Sequence, residues 1–201
     1  MENRPKAVRE FVYGKIQSLM MSRNESYVRA TLAKLRRGVG KHPGSLPDIW
    51  DFTLEGLPEE FMSRSDDPSP EEWAVHLSLS LFALHQQGKS LPERPMSETG
   101  KTFGNAVRLL IFQKGKDSEE AIKRHFDVVI TSNTPEELAH HLRSMVNLLK
   151  SDDIPLDYPR LAEDLYRFQS ASLRDGVRLR WGQDYYASKG KEEENEKQTL
   201  S

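Results

Sequence analysis

The sequence predicts an all-α protein, a helical bundle of roughly eight to nine helices packed as two small lobes. Three observations carry that expectation. Apolar residues recur at the three- and four-residue spacing of one helix face through most of the chain. Helix-start signals, a Ser, Thr or Asp followed by Pro or Glu in the first turn, precede several of those stretches. No Asn-Gly or Asp-Gly hairpin turn separates alternating runs. With domains averaging about 150 residues, a chain of 201 forms a single helical domain over 1–188, its lobes dividing near 88–104, followed by a polar tail at 189–201.

Each element has its own justification. Val8, Phe11, Val12, Ile16, Leu19 and Met20 line one face of a first helix. Val28, Leu32 and Leu35 do the same in a second, which ends at Gly38, a residue type suited to the left-handed conformation just past a helix. At about 100° per residue Arg29 and Arg36 share a helix face, and Arg37 lies about a quarter turn further round. The Ser, Asp and Pro of 63–70 make a loop. Ser69-Pro70-Glu71-Glu72 then opens a helix that runs to Gln87 and closes at Gly88. Its Trp73, Val75, Leu77, Leu79, Leu81, Phe82 and Leu84 leave it apolar on most sides, which marks a central buried helix.

Ser118-Glu119-Glu120 opens another helix, in which Ile122, Phe126, Val129 and Ile130 keep helical register. The β-branched run Asp127 to Thr131 is therefore assigned to that helix rather than to a strand. Thr134-Pro135-Glu136-Glu137 repeats the start signal ahead of Leu138, Leu142, Met145, Val146 and Leu149. Asp157-Tyr158-Pro159 opens a further helix with Leu161, Leu165 and Phe168 inward, and Asp175-Gly176 joins two helical patterns. The tail KGKEEENEKQTLS is poor in apolar residues and is expected to be disordered.

Hydrophobic residues make up 36% and charged residues 30%, enough apolar content to fold and enough charge to cover the surface. The absence of cysteine excludes disulfides, Cys-ligated metals and thiol chemistry. Neither a signal-peptide core nor a long apolar run is present, so the expectation is a soluble cytoplasmic protein with no membrane partner. The net charge of −2 conceals a segregation. Five basic residues and no acid fall between Arg29 and Lys41, nine acids and only Arg64 between Asp48 and Glu72, and four basic residues and no acid between Lys101 and Lys116. Separated basic and acidic surfaces suit a protein that holds a polyanion on one side.

Motifs for catalysis are incomplete. Gly100-Lys101-Thr102 ends like a phosphate-binding loop, but Pro95 stands where that loop needs its first Gly, and no strand precedes it. A helix start near Lys101 remains compatible with a single phosphate of a larger ligand. The six histidines lack metal-ligand spacing, and Asp66-Asp67 and Asp152-Asp153 read as loop and cap residues. No catalytic residue, metal site or cofactor is expected. Tyr158, Trp181, Tyr185 and Tyr186 have the aromatic faces to stack on bases, yet their helical spacing favours packing.

The segment RATLAKLRRGVGKHPG feeds an arginine-bearing helix into a Gly-x-Gly turn. Arginine forks match phosphate oxygens and glycine admits a close backbone, a combination suited to tracking a nucleic-acid backbone without reading bases.

With that segment, Pro47 and Trp50, the helix AVHLSLSLFALHQ, the opening Gly104-Asn105-Ala106-Val107-Arg108-Leu109-Leu110, and LDYPRLAEDLYRFQ before WGQDYY, the chain resembles the small subunit of the type I-E CRISPR surveillance complex Cascade, the CasB family. The likeness covers most of residues 8 to 187. It implies a non-enzymatic, all-helical ribonucleoprotein subunit in antiviral defence. The implied partners are a second copy of itself, the backbone and large subunits, the crRNA, and the target DNA with its displaced single strand. The implied role is stabilising the R-loop through a basic groove. Carried over by position, the resemblance assigns nucleic-acid contact to Arg29, Lys34, Arg36, Arg37, Lys41 and Arg108, with Arg143 in His-Leu-Arg-Ser-Met; charge and position add Lys101 and Arg124. Two other readings stay open: a nucleotide-binding enzyme built on Gly100-Lys101-Thr102, and a purely architectural subunit.

Overall fold

A computed structural model describes residues 4–199, with side chains as far as residue 187. The tail expected at 189–201 lies outside the fully described residues. Nine α-helices appear among the described residues: α1 (Arg4–Met20), α2 (Glu25–Leu35), α3 (Trp50–Thr53), α4 (Pro70–His85), α5 (Phe103–Lys114), α6 (Lys116–Thr131), α7 (Pro135–Ser151), α8 (Tyr158–Phe168) and α9 (Ala171–Thr199). The only β pairing among the described residues is an isolated bridge between Ser97 and Leu156.

The start signals work as their chemistry requires. The Ser69 hydroxyl accepts from the Glu72 amide at 3.0 Å while the Glu72 carboxylate accepts from the Ser69 amide at 2.7 Å, a complete capping box. Thr134 and Asp157 accept from the amides of Glu137 and Arg160 in the same way. The helix α6 begins two residues before Ser118, at Lys116, because Gly115 takes a positive φ of 83° and turns the chain directly out of α5. The β-branched run 127–131 is helical, as its register predicts.

Helix α4 is the spine of the core, buried from Ala74 through Ala83 and packed against α1, α2, α3, α7 and α8. Around it one continuous apolar cluster runs from Val8 to Tyr185. Polar anchors hold the outer helices on. The His85 ring lies 3.0 Å from the Tyr158 hydroxyl, which donates to the Leu81 carbonyl at 3.2 Å. Asp164 of α8 accepts from Trp181 at 2.7 Å and from Arg180 at 2.6 Å of α9. Burial pushes the Asp164 carboxyl up, and these two donors oppose the shift.

Two further details differ from the sequence reading. Gly38 does not supply the left-handed residue after α2; Gly40 does, at φ +73°. Gly38 is there for space, because a methyl group on it would stand 2.4 Å from the Ser80 hydroxyl and 3.1 Å from the His76 ring. Asp175-Gly176 is no junction either, since α9 passes through it without interruption. Tyr158, Trp181 and Tyr185 are buried in the core, whereas Tyr186 remains exposed.

Candidate nucleic-acid interface

The basic segment leaves α2 through a 3-10 turn, Arg36–Gly38, that lies on α4. The His76 ring nitrogen Nε2, 2.9 Å from the Gly38 carbonyl, ties that turn to the spine. Burial lowers the His76 pKa, which keeps the ring neutral beneath the arginines.

On one side of this turn is an open groove of about 950 Å³. Val28, Leu32 and Ala33 of α2 and Leu91 supply its apolar lining, and Arg29, Arg36, Lys89 and Arg94 supply positive charge that outnumbers the carboxylates of Glu25 and Glu93. Arg29 and Arg36 face the same groove as their seven-residue spacing predicts. Lys150, at the end of α7, adds a further ammonium: its Nζ donates to the Gln87 side chain at 3.3 Å. Burial and the nearby Lys89 and Arg36 hold the Lys150 pKa below its ordinary value, an electrostatic sign of crowded positive charge. Glu25 lies 3.6 Å from Arg29, and both are well exposed, so this pair is weak.

The remaining residues singled out in the sequence scatter. Arg37 turns away to pair with Asp48, which joins the basic window to the acidic one rather than keeping them apart. Lys34 lines a small hollow with Tyr27, Asp48 and Asp51. Lys41 is exposed on the turn after Gly40. Lys101 stands 3.7 Å from Glu98. Arg108 is only 8% exposed and is held by Glu119 at 3.2 Å, so its charge serves the junction of α5 with α6 rather than an open surface. Arg124 pairs with Glu120 at 2.7 Å and borders a shallow hollow with His125, His140 and His141. Arg143 is exposed on α7.

The half phosphate loop is occupied from within. The Gly100 amide donates to Asp157 at 2.8 Å, and the Asp157 amide donates to the Lys101 carbonyl at 2.7 Å. A carboxylate therefore stands where a phosphate would have to bind, and the Thr102 hydroxyl is buried without a partner. This geometry does not cradle a nucleotide.

Lys89 and Arg94, which line the groove, and Lys150 beside them are the residues that sequence reasoning missed. They lie outside the acid-free windows, and only the meeting of the turn after α4 with the end of α7 unites them.

Comparison with known proteins completes the picture. The family model described as CRISPR-associated protein Cse2 matches residues 31–186. The crystal structure of CasB from Thermobifida fusca is 33% identical, covering 90% of this chain and 97% of that one, with a TM-score of 0.66. The M. ruber CasB structure, 23% identical, covers 91% of this chain and 96% of that one with a TM-score of 0.65, a likeness of fold. A chain of a structure described as a CRISPR RNA-guided surveillance complex has the same fold at 19% identity, with coverage of 90% and 94% and a TM-score of 0.66. No curated protein matches the sequence. Among the described residues no helix is long and apolar enough to cross a membrane. From the span of the family match and the likeness to the Thermobifida fusca protein, the chain belongs to the CRISPR-associated Cse2 family.

Proposed function

We propose that this protein is the small subunit of a type I-E RNA-guided surveillance complex and that its groove holds the backbone of a nucleic-acid strand opened by the guide. Family membership supports the place in the complex. The groove supports the contact: Arg36, half-buried beside Lys89 and Lys150, faces a channel whose walls are part apolar and part polar, where a phosphate chain would relieve the crowding of like charges. Partners on this reading are the backbone and large subunits, a second copy of the chain, the crRNA and the target DNA.

The mechanism is electrostatic and involves no chemistry by this chain. Exchanging a DNA duplex for an RNA–DNA hybrid is nearly balanced, so protein contacts to the displaced strand can tip it. Cations that neutralise phosphates release condensed counterions and slow reannealing. Arg29 and Arg36 of the groove and Lys150 beside it are assigned to this task, with Lys41 and Arg143 as outlying contacts. The test is the lifetime of the R-loop in complexes assembled with the wild-type chain or with Arg29→Ala/Arg36→Ala. A markedly shorter lifetime with intact assembly supports the reading, and an unchanged lifetime makes the subunit architectural.

A further inference from the structure

Beside the groove, a single carboxylate holds two of its cations. Asp153 accepts from the Lys89 ammonium at 2.8 Å through one oxygen and from the Arg94 guanidinium at 2.5 Å through the other. It follows the end of α7 with a φ of +58°, and no other described non-glycine residue has a positive φ. That conformation aims the carboxylate back across the turn Gln86 to Arg94. Lys89 has a second acceptor, the Lys150 carbonyl at 3.0 Å, whereas Asp153 is the one anion paired with the Arg94 side chain among the described residues. Arg94 is 61% exposed and so free to swing once released.

We propose that Asp153 is an internal competitor for the groove, an anion that occupies Lys89 and Arg94 until a polyanion displaces it, and so sets how tightly the groove holds a strand. The inference rests on the reading of the groove as a nucleic-acid contact. A carboxylate attached to the protein competes at a high effective concentration, so a lone phosphate is a poor rival. A strand that fills Arg29, Arg36 and Lys150 at the same time gains enough to take Arg94 as well. The lowered pKa of Asp153, caused first by the hydrogen bond from Lys89, keeps the competitor charged at neutral pH.

Asp153→Asn removes the charge and keeps a side chain that tolerates the left-handed backbone. The test uses the full chain and a labelled thirty-nucleotide oligo-dT strand, titrated at several salt concentrations. The expected result is binding tighter by about three- to tenfold, because the strand then takes Arg94 without first displacing a carboxylate. Arg94→Ala has little effect in the wild type and erases the gain in the Asp153→Asn background. Unchanged or weaker binding by Asp153→Asn, while Arg36→Ala still loses affinity, overturns the competitor and leaves the groove reading standing. Equal binding by wild type and Arg36→Ala, or none by any variant, overturns the groove reading and this inference with it. Should Asp153→Asn fail to fold, Asp153→Gly takes the same backbone conformation freely and decides between the same outcomes.

Discussion

A methyl group added to Gly104 of α5 would stand 2.2 Å from the backbone carbonyl oxygen of Trp181 in α9 and 2.7 Å from the Tyr185 amide nitrogen. Two of the motifs that carry the family likeness, Gly104-Asn105-Ala106 and WGQDYY, are thus each other's packing surface. Backbone atoms cannot rotate away as a side chain does, so the two helices would have to part. Gly104→Ala is expected to cost about 3 kcal/mol in denaturant unfolding. Gly182→Ala, with nothing within 4 Å of the new methyl, is the control and should be neutral or slightly stabilising.

His85 gives the fold a pH dependence. Burial, with Lys89 and Lys150 nearby, pushes its pKa down to about 3, whereas an exposed imidazole titrates near about 6.5. Between those values the unfolded chain binds a proton that the folded chain does not, so stability is full above the higher value and falls as pH drops through the window. Urea unfolding should lose roughly 2 kcal/mol between neutral pH and pH 5 from this residue. His85→Phe should flatten that loss, leaving the smaller part of the same sign that His76 contributes.

Arg36 and Arg37 are adjacent yet should behave differently. Arg37 is spent on Asp48, while Arg36 lines the groove. Arg36→Ala should weaken single-strand binding about three- to tenfold at low salt, with Arg37→Ala within about twofold of wild type. Binding isotherms of the two variants at one salt concentration check this.

Arg108→Ala should lower stability by about 2 kcal/mol, because it empties a buried site and removes the ion pair with Glu119. The salt dependence of nucleic-acid binding should not move. Thermal unfolding and a salt titration on the same preparation separate the two effects.

Much of the fold was legible because its signals are local. Ser69, Thr134 and Asp157 announce their helices through the hydrogen bonds they go on to make, and the apolar girth of α4 foretells its central place. Gly38 was misread because its role lies in a contact with Ser80, 42 positions away, which no local pattern encodes. Part of the candidate site was legible for the same reason. Arg29 and Arg36 share a face by helical arithmetic, but Lys89, Arg94 and Lys150 reach them only through tertiary packing. Arg108, carried over by the resemblance as a nucleic-acid contact, lies inside the fold against Glu119. A charge count cannot distinguish a free cation from one already paired.

The most direct measurement is a salt titration of single-stranded DNA binding by the full chain, wild type beside Arg29→Ala/Arg36→Ala. If the groove engages about four phosphates, log affinity should fall against log salt with a slope near −3, and the variant should flatten it by about 1.4. Binding that ignores salt, or a slope that the variant leaves unchanged, would contradict a phosphate-holding groove along α2.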